Sequence, residues 1–150
     1  MDERVKRLKT PQECEIFAVN ATERGHPELA LQARQYSIEL RAIAYGASND
    51  AERECLMAIY AYEEILFAKH GKRVRATRTW QMIQRRGIIA AIEQAVDRAD
   101  SAAGFTALQE IGLDNYSFEA VILKHPDLFS ESAVLRSQQR MELLQAAAQV

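Results

Sequence analysis

The 150-residue sequence has only three prolines, six glycines, two cysteines and one tryptophan, and each scarcity excludes a class of structure. Low Gly and Pro content argues against a low-complexity or disordered chain. No apolar run approaches the roughly 20 residues that a membrane span requires. The amino-terminal MDERVKRLKT is charged and lacks an apolar core, so no secretory signal is expected. Cys14 and Cys55 stand alone, without a CxxC pair or a histidine at metal-ligand spacing. They are expected as buried free thiols, which makes the cytoplasm the expected compartment. Strand signals are equally thin: there is no sustained alternation of β-branched and polar residues, and no Asn-Gly or Asp-Gly hairpin dipeptide.

Catalytic signatures are missing too. His26, His70 and His125 are scattered, and the chain has no HExxH, no GxSxG and no glycine-rich phosphate loop. Pro126-Asp127 followed by Glu131 resembles a nuclease pattern on the surface. The position two after Glu131 is Ala133 where that pattern needs lysine, so it is set aside. No catalytic residue, metal or cofactor is expected, and an enzyme is the weakest reading of the chain.

What is present is helix punctuation. Thr10-Pro11-Gln12-Glu13 places a threonine cap, a proline at the first helical position and a glutamate at the third. The pattern predicts a helix from Pro11 to about Arg24 with Cys14, Phe17, Ala18 and Ala21 inward, ended by Gly25. A second runs from Pro27 to about Tyr45, with Leu29, Ala30, Ala33, Ile38, Leu40 and Ala44 inward, stopped by Gly46. The short link between them predicts an antiparallel hairpin. Gly25 and Ala30, five apart as small residues, make the pair resemble one tetratricopeptide repeat. No second copy follows at the expected period, and no function is carried over.

Ser48-Asn49-Asp50 caps a third, central helix over about Ala51 to Lys69, whose apolar residues cover more than one stripe. Glu63 and Glu64 near its end are expected on a solvated face. Thr77 or Thr79 is expected to cap a short helix to Arg86, closed by Gly87, and Ile88 to about Arg98 follows as an amphipathic segment. Asp97 to Gly104 reads as the most linker-like stretch. Phe105 to Ile111, a helix capped by Ser117 and ended before Pro126, and a last helix from Glu131 to about Ala147 capped by Ser130 complete the chain. The expected architecture is all-α: a single compact domain over 1–150, of about seven helices. Its leading hairpin packs on the central third helix, and residues 1–8 and 148–150 are loose.

The charge distribution singles out one segment. Lys69 to Arg86, KHGKRVRATRTWQMIQRR, holds seven of the 19 Lys+Arg and no carboxylate. The other twelve cations face all 21 Asp+Glu, so the rest of the chain carries about −9 while the formal total is only −2. A basic segment on an acidic body calls for an anionic partner. Helical spacing puts Arg78, Gln81 and Arg85 on one face and Trp80 and Ile83 on another. Arg and Gln can read base edges, and Arg and Lys neutralise phosphates. Lys69, Lys72, Arg73, Arg75, Arg78, Gln81, Arg85 and Arg86 are therefore the candidate nucleic-acid-binding residues. Trp80 is expected in the core beneath the loop. A helix–turn–helix with Ile88–Arg98 as the reading helix is disfavoured by Glu93, Asp97 and Asp100, which would meet phosphates. The expected function is a small DNA- or RNA-binding helical domain. The rival is a protein-interaction or oligomerisation module, without enzymatic activity, whose basic segment meets an acidic partner or its own acidic body.

Overall fold

The computed structural model describes residues 1–98 and 101–148, and these residues form helices, turns and loops with no strand. Nine α-helices occur among them: α1 (Glu3–Lys6), α2 (Pro11–Glu23), α3 (Pro27–Tyr45), α4 (Asp50–His70), α5 (Thr77–Arg86), α6 (Ile88–Asp97), α7 (Ser101–Glu110), α8 (Phe118–Lys124) and α9 (Glu131–Ala148). Single 3₁₀ turns lie at Asp114–Tyr116 and Pro126–Leu128. The all-α expectation holds, with more helices than the seven expected. Part of the excess is α1, where Asp2 accepts the Arg4 amide at 2.9 Å and Val5 is fully buried. Residues 149 and 150 of the carboxy-terminal end expected to be loose lie outside the described residues. The chain divides into two compact units, Met1–Ala47 and Ser48–Val150.

The first unit is the expected hairpin of α2 and α3, joined through Gly25 at φ +79°, a left-handed conformation that glycine adopts without steric cost. Thr10 Oγ accepts from the Glu13 amide at 3.1 Å, and Glu13 reaches back to the Lys9 amide at 2.6 Å. The forward half of the cap is that of the standard box, while the return bond reaches the amide one residue before the cap. Ala18, Ala21, Ala30 and Ala33 form the seam, with Leu8, Phe17 and Leu29 packed on it. Four small residues let two helix backbones approach closely, and this explains why large aliphatic residues are not needed there. Ser37 and Ala42 are buried on α3, whereas Ala44 is exposed rather than inward. The Asp2 amide donates to Gln32 at 2.8 Å and ties α1 to α3.

The second unit is built on α4, which packs against α6, α7 and α8. Asn49 caps it by accepting the Glu52 amide at 2.9 Å. Leu56 and Ile59 of α4, Ile92 and Val96 of α6, Leu113 and Ile122 are all completely buried. Cys55 lies among them, and burial pushes its thiol up to about 12. Cys14, in the first unit, is likewise buried and free. Ser117 and Ser130 cap α8 and α9 as expected, through the amides of Ala120 and Ala133. Helix α7 begins at Ser101, so the described part of the linker-like stretch is largely helical; Ala99 and Asp100 lie outside the described residues. Two long-range ion pairs tie α9 to the unit. Arg140 bridges the buried Glu119 of α8 at 3.0 Å and the Val96 carbonyl of α6 at 2.9 Å, while Arg136 pairs with Asp97. No helix among the described residues is long and apolar enough to cross a membrane.

Candidate nucleic-acid interface

Helix α4 ends at Gly71, whose φ of +71° turns the chain and whose amide caps the Phe67 carbonyl at 2.9 Å. The basic loop that follows is organised from below by two carboxylates. Glu63 and Glu64 are only 3% and 6% exposed. The expectation of a solvated acidic face is therefore wrong, and the reason lies in the stripe itself. Leu56, Ile59 and Glu63 recur at spacings of three and four, so Glu63 continues the buried row of α4.

A buried carboxylate is costly unless its lone pairs are filled. Glu63 Oε2 accepts from the Ala76 amide at 2.8 Å and from Trp80 Nε1 at 2.8 Å, and Arg75 Nε stands 3.3 Å away. Glu64 accepts from Arg73 Nη1 at 2.8 Å. Both arginines also lie over aromatic rings, Arg73 at 4.2 Å from the Phe67 centroid and Arg75 at 4.9 Å from that of Trp80. Tyr60 completes the stack, 5.2 Å from Trp80.

These contacts fix where α5 starts. With the Ala76 amide satisfied by Glu63, Ala76 becomes the residue before the helix and Thr77 its first residue, with no side-chain cap. Neither threonine caps α5: Thr79 is buried, and the Thr77 hydroxyl reaches the Arg75 carbonyl at 3.4 Å. Trp80 is half-buried with its ring N–H used, which corrects the expectation of a core residue to one of a pinned, partly accessible side chain. Ile83 is inward, and α5 packs along α6.

The candidate residues accordingly divide into two groups. Arg73 and Arg75 are ion-pair partners of buried carboxylates and part of the scaffold. Lys69, Lys72, Arg78, Gln81, Arg85 and Arg86 are exposed, and none of the five cations forms an ion pair among the described residues. Arg78, Gln81 and Arg85 are presented at helical spacings of three and four on α5. The residues that sequence reasoning missed are Glu63 and Glu64, and the available signal was a carboxylate pair on an apolar stripe just before a carboxylate-free basic segment. Among the described residues no three His, Cys, Asp or Glu side chains cluster as a metal site. No protein-family model matches the sequence, and no curated protein or solved structure matches it either.

Proposed function

We propose that this protein binds nucleic acid through the outward row of α5 together with the cations before and after it: Lys69, Lys72, Arg78, Gln81, Arg85 and Arg86. The observation that carries the reading is the division among the seven cations of the segment. Glu63 and Glu64 neutralise two of them at close range, and the other five are exposed and have no carboxylate partner among the described residues.

Helix stability accounts for some of those five but not for Arg78. Cations in the last turn favour a helix through its macrodipole, as Arg85 and Arg86 do in α5. Arg78 sits in the first turn, where the dipole opposes a positive charge and where α5 has no acidic residue. An anionic partner relieves that opposition. Arg78 and Arg85 are seven residues apart, about 10 Å along the helix, a span of about three base-pair steps of duplex. The Glu63 contacts to the loop and to Trp80 hold the row in place, so little ordering entropy is lost on binding.

Fluorescence anisotropy with labelled single- and double-stranded oligonucleotides at low salt tests the proposal, with polyglutamate as a competing polyanion. Binding of an oligonucleotide that polyglutamate displaces poorly is expected. Absence of binding to both strand forms refutes the reading, and preferential displacement by polyglutamate transfers it to an acidic protein partner.

A further inference from the structure

Helices α4, α6, α7 and α8 of the second unit border a cavity of about 280 Å³ that opens to solvent. Its walls are largely apolar, both aliphatic and aromatic: Tyr62, Ile65 and Leu66 from α4, Phe105 and Leu108 from α7, and Phe118 from α8. Apolar walls that face solvent are apolar area left in water, and a ligand whose apolar part covers them removes that area from water.

Among the described residues the charges around the cavity are not balanced. Lys69, at the end of α4, and Arg98, just after α6, both line it and form no ion pair among the described residues. Glu119 also borders it, but its carboxylate is paired with Arg140 at 3.0 Å, so that charge is matched within the protein. An apolar chamber with two cations that make no ion pair among the described residues complements a ligand with an apolar tail and a single anionic head. Size narrows the choice. An apolar cavity of about 150 Å³ holds benzene, so 280 Å³ takes roughly eleven non-hydrogen atoms. That is close to octanoate. We infer that this cavity binds a medium-chain carboxylate, its tail against the aromatic walls and its head at Lys69 and Arg98. Only Lys69 is shared with the α5 surface, so the two sites stand or fall separately.

Titration of the ¹⁵N-labelled protein with octanoate, followed by amide shifts, tests the inference. Saturable shifts confined to residues such as Ala95, Gly104, Leu108 and Phe118 are expected. Across hexanoate, octanoate and decanoate, affinity should rise about fourfold for each methylene that enters the cavity, levelling off once it is full. Octan-1-ol should bind more weakly. Arg98→Gln should weaken octanoate about fivefold and leave octan-1-ol unchanged, and Ala107→Leu, which fills the chamber from α7, should weaken both. Three results each overturn the inference: no saturable shift with any acid, octan-1-ol binding as tightly as octanoate, or Arg98→Gln weakening the alcohol as much as the acid. If Ala107→Leu fails to fold, the comparison of acid with alcohol in Arg98→Gln still decides.

Discussion

Removing the Glu63 carboxylate should loosen the basic loop from α4 more than any single change within the loop itself. In Glu63→Ala the Ala76 amide and the Trp80 ring N–H, each bonded at 2.8 Å, lose their acceptor together. A buried donor left unpaired costs about 1–3 kcal/mol. Arg75 contributes less, because its side chain is 68% exposed and solvent screens the pair, leaving at most about 1 kcal/mol. Together these give about 2–7 kcal/mol, a range that spans the figure of about 3–5 kcal/mol for breaking other buried ion pairs. Glu63→Gln keeps an oxygen for both N–H groups and removes only the charge assistance, so it should cost about 1–2 kcal/mol. Urea denaturation monitored by circular dichroism gives both values. The emission of Trp80, the sole tryptophan, reports directly on its pinned ring. A Glu63→Ala midpoint within about 1 kcal/mol of wild type, or a glutamine variant as unstable as the alanine one, would refute this account of the loop.

Four further outcomes follow from the packing of the second unit. Arg73→Ala leaves the buried Glu64 without its 2.8 Å partner and should cost about 1–3 kcal/mol, whereas Arg78→Ala should stay within about ±0.5 kcal/mol, as paired denaturation curves will show. Cys55→Ser puts a hydroxyl in a fully buried position and should cost about 1–3 kcal/mol against about ±0.5 for Lys72→Ala. The Cys55 thiol, with its pKa pushed up to about 12, should react with a disulfide reagent only as fast as the second unit opens. Glu54 experiences burial, which raises its pKa, but hydrogen bonds from Lys124 and His125, both at 2.5 Å, outweigh it and hold the carboxyl below its ordinary 4.5. The depressed value means that its stabilising contribution is complete above about pH 4.5 and lost as pH falls through the folded-state value. Glu54→Gln should therefore flatten the acid limb of the stability curve below that pH.

The readable parts of this fold were those specified locally. Thr10, Asn49, Ser117 and Ser130 mark helix starts because each side chain accepts an amide three residues on, while Pro11 and Pro27 stand at the first helical position with φ already set, and all five helices begin where those signals stand. The small-residue seam of α2 and α3 was likewise visible in the spacing of Ala18, Ala21, Ala30 and Ala33. What escaped detection depends on partners distant in sequence. Glu63 meets Trp80 seventeen residues on, and Glu119 meets Arg140 twenty-one residues on. No local period encodes such pairs, and a glutamate on a helix is usually solvated. The start of α5 differs from the expected threonine cap for the same reason: the Glu63 side chain, not a threonine, satisfies the amide before the helix. Of the candidate site, the exposure of Lys69, Lys72, Arg78, Gln81, Arg85 and Arg86 was legible, and the structural role of Arg73 and Arg75 was not.

The salt dependence of oligonucleotide affinity, measured side by side for wild type and for the double variant Arg78→Ala/Arg85→Ala, tests the central claim most directly. Each phosphate contact releases condensed counterions, so removing two contacts should lower the slope of log affinity against log salt by roughly two units. The stability of the variant should move by no more than about 1 kcal/mol, since both side chains are exposed and make no ion pair among the described residues. An unchanged slope, or no wild-type binding at low salt, would contradict the proposal that the outward row of α5 holds nucleic acid.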